Sequence, residues 1–290
     1  MKILHSTGKK RVLISGATGF SGSYLSDLLS QDPSLELYRS DSSITENTPG
    51  FIFCNFCDPS AVEHLIALIR PDAIYHLIGS YTNQFDIDFA SNVASTKNIL
   101  TALLRKNIQS RVLIIGSSAE YGLPDNPEEG VVETHSLAPV SIYGLVKLFQ
   151  TKLMEAYVRL YEMDILAVRP FNLFGQGLSQ LLFVGKMQKE IERYKKREIR
   201  EIITGNLSIE RDYIDIEEAI QYYRRVMEKG KAGEVYNVGS GRATSLRNIL
   251  QGMLKRDGLG MEMVREGTHE IPGKIVVPKI FADITKIQSL

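Results

Sequence analysis

The sequence predicts an α/β fold in which a doubly wound parallel sheet is followed by a smaller C-terminal α/β lobe. Three observations carry that prediction. Short apolar runs alternate with amphipathic stretches for most of the length. The runs are apolar throughout rather than at every second residue, the pattern of strands covered on both faces. A glycine-rich turn joins the first run to the first amphipathic stretch, as where a strand feeds a helix.

Taken in order, Val12–Ser15 is the first strand and Ser23–Leu29 the first helix, with Tyr24, Leu25, Leu28 and Leu29 at helical spacing. Leu35–Tyr38 and Phe51–Phe56 read as strands, and Ser60–Ile69 as a helix with Val62, Leu65, Ile66 and Ile69 on one side. Ala73–Ile78, Val112–Ile115 and Ile165–Val168 continue the sheet, separated by long helices at Phe89–Arg105 and Tyr143–Tyr161. After residue 172 the rhythm changes. Gly185–Arg200 carries mixed charge, as a solvated helix face does, and strand-like Glu201–Thr204 and Glu234–Val238 flank a helix at Ile216–Glu228. The expected division is a sheet domain over 1–172, to which the chain returns around 205–240, and the smaller lobe over 173–290. Ligands of such sheets sit beyond the C-terminal strand ends.

Composition narrows the class. At 290 residues and 43% hydrophobic, the chain can bury a large core without covalent staples. Bases and acids balance at 34 each, so no overall field draws in nucleic acid or an anionic membrane. The two cysteines, Cys54 and Cys57, exclude a disulfide scaffold. Their CxxC spacing ends a buried strand with no second ligand pair, so it reads as packing, and no metal is expected. His64 and His76 also read as packing residues. No run approaches the ~20 apolar residues that cross a bilayer, and the opening MKILHSTGKKRVLISG lacks a secretory apolar core. The expected location is the cytoplasm.

The turn after the first strand runs Gly16-Ala-Thr-Gly19-Phe-Ser-Gly22. Gly16 permits the tight turn, Gly19 lets the backbone approach a pyrophosphate, and Gly22 lets the helix pack on the sheet. The helix N-terminus then offers free N–H groups to phosphate. Past the second strand lie Arg39 and Asp41. Asp41 suits the ribose hydroxyls of NAD and Arg39 a 2′-phosphate of NADP, so both remain open, with the lean toward NAD.

Tyr143 and Lys147 stand four residues apart at the start of a long helix, on one face of it. The preceding strand ends in Gly116-Ser117-Ser118-Ala119-Glu120-Tyr121-Gly122. Hydride reduction of a carbonyl needs a proton donor at the developing alkoxide. A free tyrosine, with a pKa of about 10, needs a cation such as Lys147 to lower it. A serine hydroxyl can bind the same oxygen.

With these pieces in view, the chain resembles the extended short-chain dehydrogenase/reductases, the NAD-dependent epimerase/dehydratase family. The matching segments are GATGFSG at 16–22, RPDAIYHLIG at 70–79, GSSAEYG at 116–122, SIYGLVK at 141–147, VRPFNLFG at 168–175, RDYIDIEEA at 211–219 and GEVYNVGSG at 233–241. The resemblance implies a Rossmann domain for NAD or NADP and a substrate-binding lobe. It implies a catalytic set of Ser117, Tyr143 and Lys147. It implies a cofactor cradle that adds Thr18, Phe20, Asn55, Phe56, Leu77, Gly79 and Pro170 to the residues above, with Asn55 and Phe56 flanking the adenine. Ser80, Tyr81, Ser118, Asn172, Arg211 and, less directly, Arg265 would face a nucleotide-linked sugar, the arginines and Asn172 at its phosphates.

Within the family, dehydratases place an acid two residues after the catalytic Ser or Thr. Here that residue is Ala119, and the side chain of Glu120 should point elsewhere. The local wording resembles the GDP-4-keto-6-deoxy-mannose reductases, which implies reduction of the C4 ketone of a GDP-linked deoxyhexose. A C4 epimerase that retains its NAD is the alternative, and a dehydratase stands behind both. A non-catalytic dinucleotide-sensing protein would have no need to keep the Ser–Tyr–Lys set. The resemblance also implies a homodimer through a four-helix bundle, with Leu100, Leu103, Leu104, Leu153 and Tyr157 as core or interface. Relatives usually continue past the DITK segment at 283–286 through another helix, so either the lobe is trimmed or the sequence is a piece of a longer chain.

Overall fold

A computed structural model describes residues 8–45, 48–267 and 275–290. Six strands run in chain order as β1 (Lys10–Ser15), β2 (Leu35–Asp41), β3 (Ile52–Phe53), β4 (Ala73–His76), β5 (Arg111–Ile115) and β6 (Ile165–Pro170). The short strands β7 (Asn172–Phe174), β8 (Ile202–Thr204) and β9 (Glu210–Asp215) follow, and then β10 (Val235–Val238) returns to the first group. The main sheet has the order β10-β6-β5-β4-β1-β2-β3, every pair parallel. The order reverses between β1 and β4, the point at which doubly wound sheets bind ligands.

Strand side chains alternate between two helical layers. Val12, Ile14, Leu113, Leu166 and Val168 pack on α1 (Phe20–Ser30) and α7 (Ile216–Lys229). Leu13, Ile74, Val112, Ile114, Ile165 and Ala167 pack on α2 (Pro59–Ile69), α4 (Ser95–Arg105) and α5 (Ile142–Tyr161). Each fully buried aliphatic side chain contributes about 1.5–3 kcal/mol, which is why the strands carry no polar alternation. A second core joins α6 (Phe183–Lys195), β8 and α8 (Leu246–Arg256) through Val184, Met187, Ile191, Ile202, Leu250 and Leu254. Strands β11 (Ala243–Ser245) and β13 (Lys279–Ile280) pair with β9, as β7 does, while β12 (Val264–Glu266) pairs with β8. A last short helix, α9 (Thr285–Gln288), packs on β10.

The structure departs from the sequence reading in three respects. The strand expected over Phe51–Phe56 shrinks to β3, because Asn55 accepts the Cys57 N–H at 3.0 Å and Asp58 caps α2 by accepting the Ser60 N–H at 2.9 Å. Asx turn chemistry outcompetes the ladder there. The helix expected over Phe89–Arg105 is three pieces: α3 (Phe85–Phe89), a π-turn over Ala90–Ala94, and α4. The cause is a side chain inserted into the helical ladder: Asn92 Nδ2 donates to the Asp88 carbonyl at 2.7 Å and to the Ser80 carbonyl at 3.2 Å. The third departure is β9 and α8, neither of which stood out by period. Among the residues expected as core or interface, Leu100 and Leu103 are buried within their own chain, and the Tyr157 hydroxyl bonds that of Thr101 at 3.0 Å.

Helix α1 sits as close to the first turn as a glycine allows, since a Cβ on Gly22 would lie 2.1 Å from the Gly16 carbonyl oxygen. Gly22→Ala is therefore expected to destabilise the fold by about 1–3 kcal/mol, the usual cost of overpacking. Urea unfolding of the variant beside the parent checks this.

Candidate active site

The first βα corner is shaped for a phosphate ligand. Gly16 sits at φ +78°, in the left-handed region, and a Cβ there would lie 2.9 Å from the Ile78 amide nitrogen, so the ends of β1 and β4 touch. A Cβ on Gly19 would meet only the Gly16 carbonyl, at 3.2 Å, and the outer side of the turn stays open. Gly19 caps α1 without a side-chain hydrogen bond, and no acid sits in the first turn. The first N–H groups of the helix therefore remain for an anion. These features fit a dinucleotide.

Asp41 closes the corner. Its Oδ2 accepts from the Thr18 amide at 3.1 Å and the Thr18 hydroxyl at 2.7 Å, and its Oδ1 from Ser43 at 3.0 Å. Burial pushes this carboxyl up, but the hydrogen bonds from Ser43 and Thr18 outweigh it and leave the pKa lowered. Arg39, two residues earlier on the same side of β2, is partly buried. The Phe56 ring is 2% exposed and packs in the core, 6.5 Å from the His76 ring, because the α2–α4 layer claims it. Asn55 alone stays at the exposed rim. Leu77 and Gly79 follow β4 beside the corner, and Phe20 opens α1.

The structure brings Ser117, Tyr143 and Lys147 together. After β5 the chain enters a 3-10 turn over Ser118–Glu120, closed by a capping box. The Ser117 hydroxyl accepts the Ala119 N–H at 3.1 Å, and Glu120 Oε1 accepts the Ser117 N–H at 2.8 Å. Helix α5 is capped by Ser141, which accepts the Gly144 N–H at 3.0 Å. A Cβ on Gly144 would lie 2.4 Å from the Ala119 carbonyl oxygen, so the glycine lets the first turn of α5 lie against the serine turn. Tyr143 thereby comes up beside Ser117. One turn on, Lys147 Nζ donates to the Ile115 carbonyl at 2.8 Å and to Gln150 Oε1 at 3.0 Å. The ammonium lies 5.9 Å from the Tyr143 ring centroid and 3.3 Å from where a Cβ on Gly79 would stand.

Electrostatics correct one expectation. Burial, and not the neighbouring cation, governs the phenol: it pushes Tyr143 above its ordinary value, with the Ser117 hydrogen bond opposing. Burial likewise lowers Lys147 from 10.5 to about 8, against the pull of Glu120 and Asp88.

The remaining residues fall at differing distances from this centre. Tyr81, 46% exposed, packs edge-on against Tyr143 at 4.8 Å. Its loop is shaped by Asp88, which accepts from the Ser80 hydroxyl at 2.7 Å, the Thr82 amide at 2.9 Å and the Asn83 amide at 2.8 Å. Ser118 is partly buried in the 3-10 turn, and Pro170 ends β6 in the interior. Asn172 Nδ2 donates to the Asp212 carbonyl at 2.9 Å, tying β7 to β9. Arg211 bonds only the carbonyl of Glu210, at 2.8 Å, among the described residues, and burial lowers its pKa. Arg265 pairs with Glu201 at 2.9 Å on the surface, 63% exposed. Sequence reasoning missed Asp88 and Arg169 as organisers. It also missed Glu120 as a cap, although the Ser-x-x-Glu spacing of 117–120 is the signature of a capping box.

A dinucleotide corner facing a Ser–Tyr–Lys centre defines a dehydrogenase-like enzyme class. Comparison with known proteins makes it specific: the chain belongs to the NAD dependent epimerase/dehydratase family, whose profile matches residues 12–239. It is 24% identical over 268 residues to GDP-6-deoxy-D-mannose reductase of Pseudomonas aeruginosa, covering 89% of this chain and 83% of the relative. It is 26% identical over 245 residues to GDP-6-deoxy-D-talose 4-dehydrogenase of Aggregatibacter actinomycetemcomitans, covering 83% and 78%. The solved structure of RMD from Pseudomonas aeruginosa complexed with NADPH superposes with a TM-score of 0.84 at 21% identity, covering 97% of this chain and 92% of that one.

A lysine whose folded pKa of about 8 lies below its ordinary 10.5 binds more protons unfolded than folded between those values. Its share of stability therefore rises with pH across that window. The difference in unfolding free energy between the parent and Lys147→Met is expected to move in favour of the parent as pH rises from about 8 toward 10. A difference that stays flat would refute the lowered pKa of Lys147.

Proposed function

We propose that this enzyme reduces the C4 ketone of a nucleotide-diphosphate-linked 4-keto-6-deoxy sugar, with GDP as the favoured nucleotide. The observation that carries the reading is the centre itself: Ser117, Tyr143 and Lys147 meet at the mouth of a dinucleotide corner. Arg211 adds support, because a half-buried guanidinium without an acid partner among the described residues keeps its fork for a diphosphate. The kinship with two GDP-deoxysugar enzymes favours GDP.

A bound nicotinamide coenzyme supplies the hydride. Tyr143 gives its phenolic proton to the carbonyl oxygen as charge develops there, and the Ser117 hydroxyl holds the same oxygen. Lys147 keeps a cation beside the phenol as it loses that proton. One hydride and one proton convert the ketone to an alcohol, and solvent restores the proton to Tyr143. Water elimination would need a further acid/base, and the nearby Glu120 is engaged by Arg169 at 2.9 Å and Thr151 at 2.8 Å.

The favoured cofactor is NAD(H), because the ionised Asp41 carboxylate at the end of β2 repels a 2′-phosphate. The protein acts as a homodimer in this reading. The aromatic cluster of Phe85, Phe89 and Phe149, where Phe85 and Phe149 are exposed, lies on the helices that would pair.

Thermal-shift measurements with GDP, UDP, dTDP and CDP, each with NAD and NADP, should show the largest rise for GDP. NADH oxidation should follow when a GDP-linked 4-keto-6-deoxyhexose is added, and NAD that stays bound through purification would favour the epimerase instead. Tyr143→Phe should lower kcat by about 10²–10⁴-fold while cofactor affinity changes little. In Asp41→Ser, the ratio of kcat/KM for NADH over NADPH should fall. An unchanged ratio would remove Asp41 from cofactor choice.

A further inference from the structure

We propose that Glu120 is a positioning residue for the reduction read above, its buried carboxylate locking the Ser117 backbone, helix α5 and strand β6 into one frame. The proposal rests on that reading of Ser117, Tyr143 and Lys147 as the reacting set.

The side chain of Glu120 is wholly buried, and three donors from three elements converge on it. Its Oε1 accepts the Ser117 N–H at 2.8 Å, at the end of β5. Its Oε2 accepts the Thr151 hydroxyl at 2.8 Å, from α5, and Arg169 Nε at 2.9 Å, from β6. The Ser117 N–H and the Arg169 guanidinium can only donate, and they favour the carboxylate against the burial that raises its pKa. Space is reserved for it: a Cβ on Gly116 would lie 2.5 Å from Oε1. Thr151 is four residues past Lys147 and eight past Tyr143, on the same helix face. One carboxylate therefore bonds the backbone of the serine and the face that carries the tyrosine and the lysine.

The frame continues outward. Arg169 Nη1 donates to the Tyr121 hydroxyl oxygen at 3.2 Å, and that hydroxyl donates to Asn237 Oδ1 at 2.7 Å, on β10. A buried ion pair is no more stabilising than well-packed apolar residues of similar volume, so stability alone does not account for an anion here. A misplacement of about 1 Å in a catalytic centre can cost on the order of 10²-fold in rate, and this carboxylate fixes the separation of Ser117 from α5.

Charge supplies a second consequence. The centre is surrounded by the cations Lys147 and Arg169, the anions Glu120 and Asp88, the phenols Tyr81, Tyr121 and Tyr143, and His76, which burial keeps neutral. Glu120 and Asp88 are the anions that hold up the proton affinity of Lys147 against burial. Removing the Glu120 charge shifts Lys147 further down.

The test compares Glu120→Gln and Thr151→Val with the parent. Lysine carbon NMR follows the Lys147 midpoint, its resonance assigned by its loss in Lys147→Arg. Glu120→Gln is expected to lower that midpoint, and to lower kcat by about tenfold or more while KM for the cofactor changes by less than about threefold. Thr151→Val keeps the charge and removes one tether, so kcat should fall with the midpoint unmoved. A folded Glu120→Gln protein with the parent's midpoint and the parent's kcat overturns the proposal. If Glu120→Gln does not fold, Thr151→Val decides, and an unchanged kcat overturns it. If the parent turns over no nucleotide-linked keto sugar, the reading of the reaction fails. The NMR midpoint in Glu120→Gln then decides the positioning role alone, an unmoved value overturning it.

Discussion

The buried pair of Glu120 and Arg169 is the constraint on which the centre depends. Either charge alone in that interior would be costly, and breaking such a pair by removing one partner costs about 3–5 kcal/mol. The two residues sit on different sides of the β5–β6 junction, and the carboxylate also holds α5 through Thr151. The turn that carries Ser117, the helix that carries Tyr143 and Lys147, and the strand that leads to Asn172 therefore reach their places together. A core made only of aliphatic residues would tolerate sliding of α5 along the sheet. A carboxylate with three donors at fixed angles does not.

Much of this was legible in the sequence, and the reasons differ by element. Strands β1, β4, β5 and β6 declared themselves because both faces are buried and their apolar runs are continuous. The corner at Gly16–Gly22 and the pair Tyr143–Lys147 were legible because their chemistry demands fixed residue types at fixed spacing. What escaped was set by contacts distant in the chain. Arg169 reads as an ordinary polar residue at the end of an apolar run until Glu120, from another element, is brought to 2.9 Å. Strand β9, Glu210–Asp215, is too polar to read as a strand, and it exists because β7, β11 and β13 pair with it. The break in the helix before α4 depends on Asn92 bonding two carbonyls at once, a choice that no helical period records. The burial of Phe56 escaped for the opposite reason, since an aromatic ring at a strand end was claimed by the nearer core.

Burial has a double role in the electrostatics. It raises the phenol of Tyr143 and lowers the ammonium of Lys147, drawing the proton affinities of the two groups apart from their solution values in opposite directions. Glu120 and Asp88 act against the second effect while adding to the first. The centre thus remains protonated at the tyrosine and charged at the lysine near neutrality, the state from which a carbonyl can be reduced. Asp88 does this while shaping the loop that lays Tyr81 against Tyr143, so loop geometry and local potential share one side chain.

The 3-10 turn after β5 also fixes the position of a hydroxyl. A hydroxyl can give or receive, and a free serine does either as its surroundings ask. Here a lone pair of the Ser117 oxygen is already taken by the Ala119 amide. That contact leaves the hydrogen and the second lone pair for other partners, so the hydroxyl can still give its hydrogen to an incoming ligand oxygen. The chain has set the place of this oxygen before any guest arrives, so a guest meets a hydroxyl already in position.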